Sequence, residues 1–179
     1  MKIAQQLKEK NIAEYLIYMW QVEDLLRAYK CDIDEIRHNI ISRYPEEERP
    51  ALDEWYGNLI GMMRAEGVTD KGHLQIDRIV IQNLTELHAA LLASTKYPFY
   101  NAAYFKALPF MVELRQKSGK ADEPELETCF EALYGVLLLR LQKKEISQGT
   151  AKAMEAISNF VSLLANYYDK EKRGELELD

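Results

Sequence analysis

Helix-start and helix-stop signals recur along the whole chain, and they constrain its fold more than any other feature. Capping residues, prolines and glycines divide the sequence into segments whose apolar residues follow a helical period. Asn11 with Glu14, and Asp32 with Glu35, have the spacing of a capping box. Seven helices are predicted in this way, beginning near Asn11, Asp32, Pro45 to Pro50, His73, Pro98, Asp122 and Ser147.

Signals for β-strands are missing from the same segments. No stretch alternates apolar and polar residues, and no Asn-Gly or Asp-Gly hairpin turn occurs. The connections between the predicted helices are about two to seven residues long, which is typical of antiparallel neighbours. The sequence therefore predicts an all-α fold, a single-domain bundle of six to seven mostly antiparallel helices. We expect the bundle to cover residues 1–173, and residues 174–179 to form an acidic, frayed C-terminal tail.

The composition is that of a globular protein, with 47% hydrophobic and 29% charged residues. The net charge of −6 argues against a nucleic-acid partner, because nucleic-acid binding normally needs a basic face. The N-terminus is polar, and no run of about 18 apolar residues exists, so we expect neither a signal peptide nor a membrane partner. These features predict a cytoplasmic protein.

Motifs for catalysis or metal binding are not found in the sequence. Cys31 and Cys129 lie far apart and outside any CxxC pair. Glu35 and His38 have the Glu-x-x-His spacing of a di-iron site, but they point away from the apolar side of their helix and no second copy exists. Phosphate loops, nucleophile elbows and HExxH motifs are missing as well. We therefore predict no catalytic residue, no metal ligand and no cofactor, and enzyme activity has no support.

The first predicted helix has a broader apolar arc than the others. At about 100° per residue, its apolar side chains cover more than one face. They are Ile12, Tyr15, Leu16, Tyr18, Met19, Trp20, Val22, Leu25, Leu26 and Tyr29. This helix is either central to the bundle or partly used against another subunit.

Three polar residues fall on helix faces that should be apolar. Asp77 and His88 project into the apolar arc of the fourth predicted helix, and Glu23 into that of the first, with Arg27 as its local partner. A buried carboxylate without a partner costs several kcal/mol, so each residue needs one. One interpretation is that Glu23, Asp77 and His88 converge on an internal polar cavity that binds a ligand. The other is that each is separately paired within the core.

An aromatic segment, residues 97–110, is the second candidate for a binding site. Tyr100, Tyr104 and Phe105 belong to it, and Pro109 interrupts its helical pattern. A kink with aromatic walls forms a small-molecule pocket in some proteins. The alternatives are a kinked core helix or two short helices that meet at a corner.

Two segments carry a resemblance to a known family. They are NIAEYLIYMWQVEDLLRAY at residues 11–29 and LLANYYDKEK at residues 163–172. With the overall length, they resemble an uncharacterised family of single-domain, all-helical bacterial proteins, known chiefly from gut bacteria and labelled a domain of unknown function. The resemblance implies a helical fold and a bacterial cytosolic setting, and it implies no functional residue.

Two functions follow from these features. The first is a non-enzymatic interaction or structural protein, which binds another copy of itself or another protein. The alternative is a small-molecule-binding protein or enzyme. It would use a pocket lined by Glu23, Asp77, His88, Tyr100, Tyr104 and Phe105.

Overall fold

The computed structural model describes residues 2–178, and these residues form helices without any strand. The predicted all-α class is confirmed. Eight α-helices and one 3₁₀ turn follow one another in the order α1 Lys2–Lys10, α2 Ile12–Ala28, α3 Ile33–Asn39, the 3₁₀ turn Ile41–Arg43, α4 Arg49–Ala65, α5 Gln75–Ala93, α6 Pro98–Ser118, α7 Glu125–Leu141 and α8 Gln148–Lys172. None of them is both long and apolar enough to cross a membrane.

The predicted number of six to seven helices is too low, and the additional helix is α1. Its sequence, KIAQQLKEK, consists largely of good helix formers, but it has few apolar residues and no capping signal before it. Ala4 is buried, and the Gln5 side chain donates a hydrogen bond to Glu9 one turn later. Tertiary contact therefore stabilises a nine-residue helix that would be marginal on its own.

Three of the predicted helix ends are confirmed by the residues that cap them. The Asp32 side chain accepts from the backbone of Asp34 at 2.9 Å, and the Ser147 side chain accepts from the backbone of Thr150 at 3.1 Å. Gly119 ends α6 in the left-handed conformation, with φ of 70°, which a residue without Cβ adopts readily.

The helices group into two compact units. The first unit comprises α1 and residues 14–80, and the second comprises residues 11–13 and 81–178. Residues 75–80 of α5 thus belong to the first unit and the rest of that helix to the second. The single domain expected from the sequence remains a prediction, and Met1 and Asp179 lie outside the described residues.

The core of the first unit uses the broad apolar arc of α2. The largest buried side chains of this unit are Trp20, Leu16, Met19, Leu26, Ile36, Met63 and Leu74. Four of these seven come from α2, which supports the expectation that this helix is central. On the surface, Arg37 pairs with Asp34 of α3 and with Asp53 of α4.

In the second unit, α6, α7 and α8 all pack against one another. Their contacts bury Tyr100, Phe130 and Phe160 completely. Helix α6 continues through Pro109, so the prediction of two short helices is wrong. Pro109 is on the exposed side of α6, where water can solvate the Phe105 carbonyl that lacks its usual backbone donor.

The segment after α8 makes contacts with the second unit as far as it is described. The Tyr97 hydroxyl donates to the backbone carbonyl of Glu177 at 2.6 Å, and Lys96 forms an ion pair with the Glu177 carboxylate at 3.8 Å. The expected fraying of this tail remains a prediction.

Candidate functional site

Two carboxyl groups are buried together in the first unit. Glu23, in the middle of α2, is 1% exposed, and Asp77, in the first turn of α5, is 0% exposed. Both residues were predicted to sit on apolar faces, and the structure buries both in the same unit, where the Glu23 charge acts on the Asp77 carboxyl. Such a pair is costly, because two carboxylates repel and neither can be hydrated.

The Glu23 carboxylate contacts hydrogen-bonding groups of the segment just before α5. Its Oε1 accepts from the backbone N–H of Leu74 at 2.7 Å, and its Oε2 lies 2.7 Å from Nδ1 of His73. Helix α5 begins at Gln75, so Glu23 places negative charge at a helix N-terminus, where the helix dipole favours it. The guanidinium of Arg27, predicted as the local partner, lies 3.6 Å from Glu23.

Asp77 receives no hydrogen bond from any donor, although both of its oxygens are buried. Two carboxyl groups form a hydrogen bond only when one of them carries the proton. Glu23 is already surrounded by donors, so the proton belongs on Asp77, which then donates to Glu23. Burial and, second, the Glu23 charge raise the pKa of Asp77 to about 8, while Lys8 acts in the opposite direction.

Arg27 fastens the loop between α4 and α5 to α2. Its guanidinium donates to the backbone carbonyl of Val68 at 3.1 Å and to that of Gly72, and it pairs with Asp24 at 2.9 Å. Together with Glu23, Arg27 therefore connects α2 to this loop through charge-assisted hydrogen bonds.

His73 joins the buried pair to the surface. Its imidazole stacks on the Trp20 ring, with centroids 4.0 Å apart and planes 10° apart, and its side chain is 31% exposed. In the sequence, His73 indicates only the start of a predicted helix. A loop residue fifty positions from Glu23 has no periodicity that would predict this contact.

A second polar group lies in the second unit around His88. Its Nδ1 is 2.6 Å from the Tyr100 hydroxyl, and its Nε2 is 3.6 Å from Glu125. Burial lowers the pKa of His88, although Glu125 opposes that effect. The rings of Tyr100, Tyr104 and Phe160 surround the imidazole at centroid distances of 4.9 to 5.8 Å. A neutral His88 fits this environment because it can exchange hydrogen bonds without a charge.

The six candidate ligand-binding residues thus separate into groups. Glu23 and Asp77 belong to the first unit, where Glu23 contacts His73 and Leu74. His88, Tyr100 and Tyr104 lie together in the second unit, where the Tyr104 hydroxyl donates to Glu125 at 3.1 Å. Phe105 is not part of either buried group, since it is 63% exposed.

The cavities described on the two units are lined by other residues. One of them, about 320 Å³, lies between α5 and α8 in the second unit, and Glu86, Tyr168 and Lys172 belong to its lining. Within residues 2–178, no three His, Cys, Asp or Glu side chains are placed to hold a metal ion.

The outer side of α6 is the main apolar surface of the second unit. Between positions 99 and 113, two exposed residues, Lys106 and Glu113, are charged. The other five exposed residues are apolar and form what we call the exposed α6 face: Phe99, Ala102, Phe105, Pro109 and Val112. Phe99 is 82% exposed. Consecutive members are three or four residues apart, so they lie along one side of the helix.

A search of curated proteins and a search of solved structures each found no match. The model of one uncharacterised family covers nearly the whole chain, which confirms the resemblance predicted from the two terminal segments. The chain belongs to the family described as Domain of unknown function (DUF4924), whose model matches residues 1–175.

Proposed function

We propose that this chain is a non-enzymatic helical interaction protein, and that it associates with a second copy of itself through the exposed α6 face. The observation that carries this proposal is the apolar character of that face. Single exposed apolar residues are normal on proteins, whereas a continuous stripe of them indicates an interaction surface. Two phenylalanines at 82% and 63% exposure would otherwise remain in water.

The order of residues along the face favours an antiparallel second copy. Its bulky members, Phe99 and Phe105, come first, and the smaller Pro109 and Val112 follow. An antiparallel pair sets bulky side chains of one copy against small ones of the other, and the same contacts then occur twice about a two-fold axis.

The helix dipoles agree with this arrangement, because antiparallel helix dipoles attract each other.

The experiment is sedimentation of the purified chain over a range of concentrations. The face is roughly 21 Å long at 1.5 Å per residue, which is a small interface, so we expect micromolar association. We expect the wild-type protein to pass from monomer to dimer between about 1 and 500 µM, since small interfaces belong to weak and transient complexes. Phe105→Asp should remain monomeric over the same range.

Leu141→Asp is the matched control, because Leu141 is equally exposed, at 66%, and lies outside the exposed α6 face. It should dimerise like the wild type. A wild-type chain that stays monomeric at the highest concentration, or a Phe105→Asp variant that dimerises normally, contradicts the proposal.

A cysteine placed on the face gives an independent test. Both native cysteines are buried free thiols, so a new thiol at Lys106 is the accessible one. Lys106→Cys should form a dimer disulfide under mild oxidation, and Glu155→Cys, exposed on α8, should not.

We place this function in the cytoplasm of a bacterium. The two free thiols support that setting, because thiols stay reduced there.

A further inference from the structure

The α4–α5 loop, residues 66–74, is fastened to α2 by Glu23 and Arg27. One of these two attachments depends on a proton, since Glu23 lies against a second buried carboxyl group, that of Asp77. The Glu23 carboxylate that holds the loop is therefore also the group affected by the protonation of Asp77.

We propose that the Glu23–Asp77 pair is a pH-sensitive switch, which keeps the α4–α5 loop attached to α2 while the two carboxyls share one proton, and which releases the loop when that proton is lost. The chemical step is loss of the Asp77 proton to water or hydroxide. No other bond is made or broken.

The part of the structure that moves is the one between the pair and solvent. Once both carboxyls are ionised, their repulsion is reduced when water hydrates the Glu23 carboxylate. Both carboxyls are carried by helices, but Glu23 is in contact with the loop residue His73, which is partly exposed, whereas Asp77 is 0% exposed. Movement of the loop that carries His73 admits water to Glu23, and the Leu74 N–H then loses its acceptor.

Charged and titratable groups of α1, α2, α4 and the loop act on the two carboxyls. They are Lys8 of α1, Tyr15, Glu23 and Arg27 of α2, Glu66 at the end of α4, and His73 of the loop. Lys8 and Arg27 favour ionisation, and Glu66 opposes it. Lys8 is exposed, so its charge is screened by solvent and does not replace a direct donor to Asp77.

The first test follows the loop directly by NMR, between pH 5 and 9.5. The side-chain ¹³C resonance of Asp77 and the backbone amide resonance of Leu74 should titrate together, with a midpoint near pH 8. Above the midpoint, the Leu74 amide should lose protection from hydrogen exchange after correction for the intrinsic rate.

Asp77→Asn is the decisive variant, because its neutral amide imitates the protonated carboxyl at every pH. It should keep the Leu74 amide protected at pH 9.5 and remove the transition. Glu54→Gln, an exposed change on α4, should titrate like the wild type.

The second test uses the stability of the first unit, which contains both tryptophans, Trp20 and Trp55. The unfolded chain ionises an aspartate near pH 4, while the folded chain keeps the proton to about pH 8. Between these limits, the folded-to-unfolded ratio should fall about tenfold per pH unit relative to Asp77→Asn. Urea unfolding followed by tryptophan fluorescence measures this ratio.

Identical pH profiles for wild type and Asp77→Asn would overturn the proposal. An Asp77 carboxyl that titrates below pH 5 in the wild type overturns it as well, and this measurement decides the matter even if the variant does not fold. Titration of Asp77 without any change at Leu74 overturns the release of the loop.

Discussion

The two units bury titratable side chains in different ways. In the first unit, two acids lie side by side and one proton makes the arrangement tolerable. In the second, His88 is paired with the Tyr100 hydroxyl and with Glu125, and it needs no extra proton. The carboxyl pair loses stability as the pH rises toward 8, whereas the buried imidazole loses stability as the pH falls below about 6.5.

This difference determines where each unit is sensitive. The contribution of Asp77 to the stability of the first unit is greatest in acid, since the folded state retains the Asp77 proton that the unfolded chain loses. The contribution of His88 to the second unit is greatest at neutral and alkaline pH, since burial lowers the pKa of its imidazole below that of an unfolded histidine. Opposite pH responses within one chain make the two groups separable by experiment.

The largest expected effect is that of Glu23→Ala. It removes the acceptor of the Leu74 N–H and the partner of His73, and it leaves Asp77 buried without any neighbour to bond. Deleting one member of a buried charged network costs about 3–5 kcal/mol. Urea unfolding at pH 6, followed by tryptophan fluorescence, measures the loss in the first unit. The exposed Glu54→Ala should change stability by less than about 0.5 kcal/mol, and a similar small loss for Glu23→Ala contradicts the network.

Tyr100→Phe should have the next largest effect, and it acts in the second unit. The change preserves the ring but removes the hydroxyl that lies 2.6 Å from His88, so a buried ring nitrogen loses its partner. We expect a loss of about 1–2 kcal/mol. Methyl resonances of Ile157 and Leu164 during urea unfolding report this unit. If the unfolding midpoint reported by tryptophan fluorescence falls instead, the first unit is the one destabilised, and the assignment of the effect to the second unit is wrong.

Much of the fold was predictable because helix ends are local. Asp32 and Ser147 bond to amides two or three residues away, and a glycine at 119 ends a helix through its own backbone. Helix α1 has no such cap and no extended apolar stripe, and it depends on tertiary contact. Its existence could not be predicted from local rules.

The site was predictable in one respect only. An acid on an apolar face is visible from sequence, and this identified Glu23 and Asp77. Their meeting, and the contact with His73, depend on how a loop packs fifty residues away. Phe105 is a different case, because a helical period through Tyr100, Tyr104 and Ala107 already places it on the other side. Counting that period would have assigned it to the surface.

The pH response of His88 is expected to be smaller. Burial keeps its imidazole neutral in the folded chain, so acid favours the unfolded chain, whose histidines take up protons near pH 6.5. Stability contributed by this group is present above pH 6.5 and is lost as the pH falls. The second unit should lose stability as the pH falls below 6.5. At pH 6.5 the ¹⁵N side-chain resonances of His88 should be those of a neutral ring. If His88 is charged in the folded chain at pH 6.5, the proposed difference between the pH responses of the two units is wrong.

Tyr104→Phe should have the smallest effect. Comparison with Tyr100→Phe tests whether burial of the partner determines the cost of losing a hydroxyl. Its hydroxyl also bonds to a member of the His88 group, but its partner, the Glu125 carboxylate, is partly exposed. Water can replace the lost donor there, which limits the cost to about 0.5 kcal/mol. Methyl resonances of the second unit during urea unfolding measure both tyrosine variants under the same conditions. Equal losses for Tyr100→Phe and Tyr104→Phe would mean that burial of the partner does not determine the cost. Tyr100→Phe should cost more because the His88 side chain is only 8% exposed, so water replaces a missing hydroxyl there less readily than at Glu125, which is 31% exposed.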